Sequence, residues 1–101
     1  MEIPKIKMNG EIVKPQPPKA KVWREVMRFD EIKKDIDFAD FIDAHAEIIA
    51  LVFGGSITKE IILENLEIED IVPTYRKCYR WVLDLLTSKL EKIPNGETPE
   101  A

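Results

Sequence analysis

Four places in this 101-residue chain carry residue types that could do chemistry: a single histidine, His45; a single cysteine, Cys78; three carboxylates, Asp40, Asp43 and Glu47; and the tripeptide Gly54-Gly55-Ser56. A metal centre needs several ligands converging on one ion. One His, one Cys and carboxylates scattered over helix surfaces do not supply that set. Asp40, Asp43 and Glu47 have the i, i+3, i+7 spacing of half a carboxylate site, but no second helix carries a matching Glu-x-x-His. The same spacing describes the solvated stripe of an otherwise buried helix, and that is the reading adopted. His45 shares a helical face with Phe38, Ile42 and Ile49, a setting for a buried neutral histidine with a hydrogen-bond partner rather than a general base. Cys78 falls between Tyr75 and Val82 on an apolar face, where a thiol packs as a small hydrophobe and nothing nearby activates it. Gly54-Gly55-Ser56 follows a helix and lacks the Gly-Lys-Ser/Thr of a phosphate loop, so it reads as a helix stop. Enzyme function has no support, and no cofactor or metal is expected.

The elements that would position these residues are legible from spacing. Asn9-Gly10 lies between two short runs with apolar residues at alternate positions, Ile6 and Met8 before it and Ile12 after it. Asn-Gly tolerates the two positive φ angles of a type I′ turn, which predicts a hairpin with strands near Glu2 to Met8 and Glu11 to Lys14. Pro15, Pro17 and Pro18 then end the pairing and make a stiff lead into the next element. A helix is expected from about Lys19 to Asp35, with Ala20, Trp23, Val26 and Met27 on one side. A second helix opens at Asp37 and runs to Gly54-Gly55 as the buried centre of the fold, with only its acidic stripe facing out. A short third helix starts at Thr58 and ends near Leu66. The last and longest runs from about Glu69 to Lys92, with Pro73 in its first turn. The expected fold class is α+β, mainly α: an N-terminal β-hairpin (1–14) followed by about four helices (19–93) in one compact domain spanning 1–94. Residues 95–101 are expected to be a flexible tail.

Composition narrows the partners. Fifteen Lys and Arg against nineteen Asp and Glu give a formal net charge of -4 at pH 7, which removes the basic field behind non-specific nucleic-acid affinity. No apolar run is long enough to span a membrane, no secretory leader is evident, and one cysteine gives no sign of an oxidising compartment. A cytoplasmic protein without nucleic-acid or membrane partners is expected.

The unusual feature is the last helix. Projected at 100° per residue, its apolar side chains fill an arc of roughly 200°, about twice what a surface helix needs. Two seams share the arc: Tyr75, Cys78, Val82 and Leu85 form one, and Tyr79, Leu83, Leu86, Leu90 and Ile93 the other. One seam can pack on the second helix. The other is either wrapped by the first helix and the hairpin, or meets another polypeptide, as large apolar patches on soluble proteins usually do. Tyr79, Leu83, Leu86, Leu90 and Ile93 are the candidate partner-binding residues, with Trp81 as a candidate anchor. Lys89 lies inside the same arc and could snorkel there or pair with an acidic neighbour.

The runs I-K-M-N-G-E-I (Ile6 to Ile12), P-P-K-A-K-V-W-R-E (Pro17 to Glu25), D-A-H-A-E-I-I-A-L-V-F-G (Asp43 to Gly54), I-V-P-T-Y-R-K (Ile71 to Lys77) and L-L-T-S-K-L (Leu85 to Leu90) together resemble the tail assembly chaperones of long, non-contractile-tailed phages and of Gram-positive prophages. The resemblance covers nearly the whole chain. It implies a non-enzymatic protein of the host cytoplasm that binds the tape measure protein, a helical client, and keeps it soluble while tail tube subunits polymerise around it. It also implies self-association into a homo-oligomer, possible contact with the tail tube protein, and absence from the finished virion. Family members often occur in a short and a frameshifted longer form, and this chain would correspond to the short one. A small structural tail protein of the completion type, retained in the virion, is the alternative.

Overall fold

The computed structural model describes residues 2–91, with side chains described as far as Ser88. An antiparallel hairpin of β1 (Ile6–Met8) and β2 (Glu11–Val13) leads into four helices: α1 (Ala20–Ile32), α2 (Phe41–Phe53), α3 (Lys59–Asn65) and α4 (Ile71–Glu91). Short 3-10 turns at Lys33–Asp35, Phe38–Asp40 and Ile68–Asp70 lie at the joins. The α+β, mainly α class expected from the sequence is the class observed.

At the tip of the hairpin Asn9 and Gly10 have φ of 52° and 82°, the two positive angles that the Asn-Gly pair was expected to supply. The two-residue turn pairs Met8 with Glu11, Lys7 with Ile12 and Ile6 with Val13. Directly paired residues share a face, so Val13 joins buried Ile6 while Ile12 follows Lys7 outward and is 58% exposed. The inward residue of the second strand is therefore Val13 and not Ile12. The ladder is shorter than expected because Pro4 has no N–H to contribute and Pro15 closes the other end.

In α1 the buried stripe is Val22, Val26 and Phe29, with Trp23 and Met27 at its edge and Ala20 exposed. The inward face is thus turned from the one expected, because Phe29 provides far more apolar surface than an alanine at the helix's first position. The second helix also begins differently. Asp37 flanks a 3-10 turn without capping it, and the α-helix starts only at Phe41. Three residues per turn instead of 3.6 swings Phe38 off the face of Ile42, His45 and Ile49. It is 92% exposed rather than buried with them.

Helix α2 carries the largest share of the core: seven of its residues, from His45 to Phe53, are buried. It packs against α3 and α4 and, less extensively, against α1. Gly54 and Gly55 end it with φ of 69° and 63°, the left-handed stop anticipated from the glycine pair. There the proline-rich lead crosses the helix end, and the Gln16 N–H donates to the Phe53 carbonyl at 3.0 Å. A Cβ on Gly55 would lie 2.9 Å from Gln16 Nε2. Helix α3 is capped by Thr58, whose Oγ1 accepts the Ile61 N–H at 3.2 Å, and buries Ile62.

Candidate interaction surfaces

The residues first considered for chemistry are held in the core or in solvent. His45 is 2% exposed, and its Nδ1 donates to the Phe41 carbonyl at 2.9 Å. The rings of Phe29, Phe41 and Tyr75 surround it at centroid distances of 4.9, 4.2 and 5.1 Å. Burial lowers its pKa from 6.5, and the nearby Lys33 charge acts the same way against the opposing effect of the Phe41 hydrogen bond. This is the buried neutral histidine that its position indicated. Cys78 is fully buried, and desolvation pushes its thiol up to about 12, so thiolate is scarce near neutral pH. Asp40, Asp43 and Glu47 are exposed, with Lys59 Nζ 3.7 Å from Asp43. Among the described residues no three His, Cys, Asp or Glu side chains gather where a metal ion could be held, and no helix is long and apolar enough to cross a membrane.

One polar network went unread in the sequence. Tyr75 donates its hydroxyl proton to Asp30 Oδ1 at 2.7 Å, and Lys33 Nζ donates to the same oxygen at 2.7 Å while standing 5.1 Å from the Tyr75 ring centroid. Burial raises the Asp30 pKa, but hydrogen bonds from Lys33 and Tyr75 and the charge of Lys33 together outweigh it and leave the group below 3.8. Desolvation, reinforced by the Asp30 hydrogen bond and charge, pushes the Tyr75 phenol far up. Asp30 lies 45 positions from Tyr75, and no local spacing rule links residues so far apart.

Helix α4 divides into two unequal parts. Ile71, Tyr75, Cys78, Trp81 and Val82 are buried, whereas no side chain from Leu83 to Ser88 is. Of the outer seam, Tyr79 leans on the core; Leu83 is partly exposed and Leu86 is 41% exposed. Tyr79 and Leu83 line a shallow depression with Arg76, Arg80 and Asp84. Trp81 is placed inside the protomer, where its ring forms a wall of an apolar cleft with Ile3, Pro15, Pro17, Pro18 and Leu85. The side chains of Lys89 and Leu90, together with Ile93 and the tail 95–101, lie outside the described residues.

A second surface was missed. Between the C-terminal half of α1 and the outer side of α2 lies a groove of about 610 Å³ floored by Phe29, Ile32, Ile36, Ala44, Ile48 and Leu51. Glu25 stands on its α1 wall and Glu47 on its α2 wall, and among the described residues these two are its only ionisable lining residues. Glu25 is shared with Arg24 and Arg28 at 3.4 and 3.3 Å; among the described residues Glu47 has no cation within salt-bridge distance. The available signal was that α2 is apolar over all but about 60° of its circumference, more than three neighbouring elements in so small a chain can cover.

No curated protein and no solved structure matches this chain. A family model described as phage tail chaperone protein matches residues 7–97. That match takes in the hairpin from Lys7 onward, the four helices and both apolar surfaces, and this chain therefore belongs to the phage tail chaperone family.

Proposed function

We propose that this protein is a non-enzymatic tail assembly chaperone that binds the tape measure protein and keeps it soluble while the tail tube forms. The reading rests on the family and on one observation: beyond Val82 only Leu85 packs against the core, and the outer seam of helix α4 leaves Leu83 partly and Leu86 largely exposed. A long helical client presents amphipathic segments that aggregate unless their apolar stripes are covered, and reversible apolar contact from a chaperone covers them. Tyr79, Leu83 and Leu86, continued in sequence by Leu90 and Ile93, form the surface lent to other chains, whether client or further copies of the protein. Trp81 stiffens the base of that helix from within. The protein acts in the host cytoplasm as an oligomer distributed along its client, with the tail tube protein as a further contact.

Co-expression with the tape measure protein tests the reading. Soluble client recovered in complex with the chaperone supports it, and Leu83→Glu with Leu86→Glu should abolish recovery. An insoluble client and no complex would end it. Mass spectrometry of purified virions should find the protein missing; its presence at stoichiometric level would mark it as a structural component.

A further inference from the structure

The groove between α1 and α2 has the form of a seat for a third helix. On α2, Ala44, Ile48 and Leu51 repeat at spacings four and three and span about 10 Å, two helical turns. On α1, Phe29 and Ile32 make the facing ridge, and Ile36 follows in the join. Two such ridges accept a helix between them with its apolar stripe on the floor. Among the described residues no side chain of α3, α4 or the hairpin lines the groove. Apolar surface also continues past Ile36: Ile32 is 50% exposed and Phe38, two residues beyond Ile36, is 92% exposed. Large apolar side chains left in water beside an apolar floor mark a surface that meets another chain.

The two walls differ in charge. On α1, Glu25 is answered by Arg24 and Arg28, so that wall asks nothing of a partner. On α2, Asp40, Asp43 and Glu47 are exposed at i, i+3 and i+7, and at 100° per residue their stripe borders that of Ala44 and Leu51. Asp40 and Asp43 suit the positive end of α2, and Lys59 stands 3.7 Å from Asp43. Glu47 lies a turn further in and has no cation within salt-bridge distance among the described residues. The charge open to a partner is therefore negative and on the α2 side alone.

We infer that the α1–α2 groove accepts an amphipathic helix of the client, with its apolar stripe on Ala44, Ile48 and Leu51 and a Lys or Arg on the flank that faces Glu47. Burying the stripe removes apolar surface from water on both partners. The cation at the α2 rim fixes which way round the helix lies and rejects segments with an acidic flank. The groove is a second contact, separate from the outer seam of α4. It rests on the reading that the protein carries a helical client, and it specifies which client segments are chosen: apolar stripes bordered on one side by basic residues.

Two synthetic helical peptides test this on the full-length protein. They share one Leu stripe at spacings four and three and differ only in carrying Lys or Glu along one flank. By fluorescence anisotropy at low salt the Lys-flanked peptide should bind at least about tenfold tighter than the Glu-flanked one, and about 0.5 M salt should narrow the gap. Glu47→Lys should cut the preference by about fivefold or more. Glu69→Lys makes the same change of net charge on an exposed residue outside the groove and should leave the preference unaltered. Ala44→Trp fills the floor and should abolish binding of both peptides, whereas Leu86→Glu, on the outer face of α4, should change neither. Glu47 is exposed, so its variant remains informative if Ala44→Trp misfolds. The inference is overturned if the Lys-flanked peptide does not bind, if the two peptides bind equally, if Glu47→Lys and Glu69→Lys act alike, if folded Ala44→Trp still binds, or if Leu86→Glu abolishes binding. An oligomer of the wild type that dissociates in Ala44→Trp would give the groove to a second copy and overturn it as well. Co-expression with the tape measure protein tests the chaperone reading without these peptides, so either can fail while the other stands.

Discussion

The two halves of helix α4 have similar apolar content and opposite fates. From Ile71 to Val82 the helix is built into the protomer: Tyr75 contacts Phe29 and His45 edge to face at 5.3 and 5.1 Å, its hydroxyl is tied to Asp30, and Cys78 is sealed behind it. From Leu83 to Ser88 the same periodicity continues, and no described side chain is buried. The difference teaches that apolar periodicity reports a face to be covered without saying who covers it. In the first half the cover is α1 and α2 of the same chain. In the second half the proline-rich lead and the core reach Leu85 alone, and Leu83 and Leu86 on the outer seam stay partly or largely exposed.

This contrast can be broken in several ways. The widest gap is in thiol reactivity. Cys78 should react with a disulfide reagent only when the domain opens, whereas a cysteine introduced by Leu86→Cys should react at least about a thousandfold faster in native buffer. Comparable rates at the two positions would show that the first half is not sealed. Client or excess protein should slow the Leu86→Cys reaction and leave Cys78 unchanged.

Stability separates the halves next. Tyr75→Ala empties the centre of the aromatic cluster and should cost about 3–5 kcal/mol by urea denaturation. Tyr75→Phe keeps the ring and loses only the hydrogen bond to Asp30, at about 1–2 kcal/mol, since Lys33 still pairs with that carboxylate. Leu86→Glu should stay within about 0.5 kcal/mol of wild type. A large loss from Leu86→Glu would place the second half in the protomer's own core and undo its assignment as a contact surface.

The pH dependence sharpens the same division. The His45 pKa is held below its ordinary 6.5 in the folded protein, so between that folded value and 6.5 the unfolded chain binds a proton the native state does not. Stability is therefore full above about pH 6.5 and falls as the pH is lowered through that window. Asp30, held below 3.8, adds a further loss only at more acidic pH. Thermal melts from pH 8 to 5 should show the decline, and His45→Phe should flatten it. Leu86→Glu, remote from His45 on α4, should leave the slope between pH 6.5 and 5 unaltered.

The last effect concerns the join between the proline-rich lead and the end of α2. Gly55→Ala forces a side chain into a φ of 63° beside Gln16 and should cost about 1–2 kcal/mol, less any relaxation of that flexible side chain.

By itself the sequence determined whatever local rules govern: the Asn9-Gly10 turn, the Gly54-Gly55 stop, the Thr58 cap, the number and order of the helices, and the excess apolar arc of α4. Each follows from φ preferences or from periodicity within one element. Tertiary structure alone decided which side of that excess is shared. It sent Ile12 outward through the hairpin register, exposed Phe38 through a 3-10 turn, drew Trp81 inward against the proline-rich lead, and left a groove along α2 where a buried helix was expected. The physical reason is that burial depends on how many neighbours reach a surface. That number is set by the lengths and crossing of distant elements, as with Asp30 and Tyr75, and no residue's own spacing encodes it.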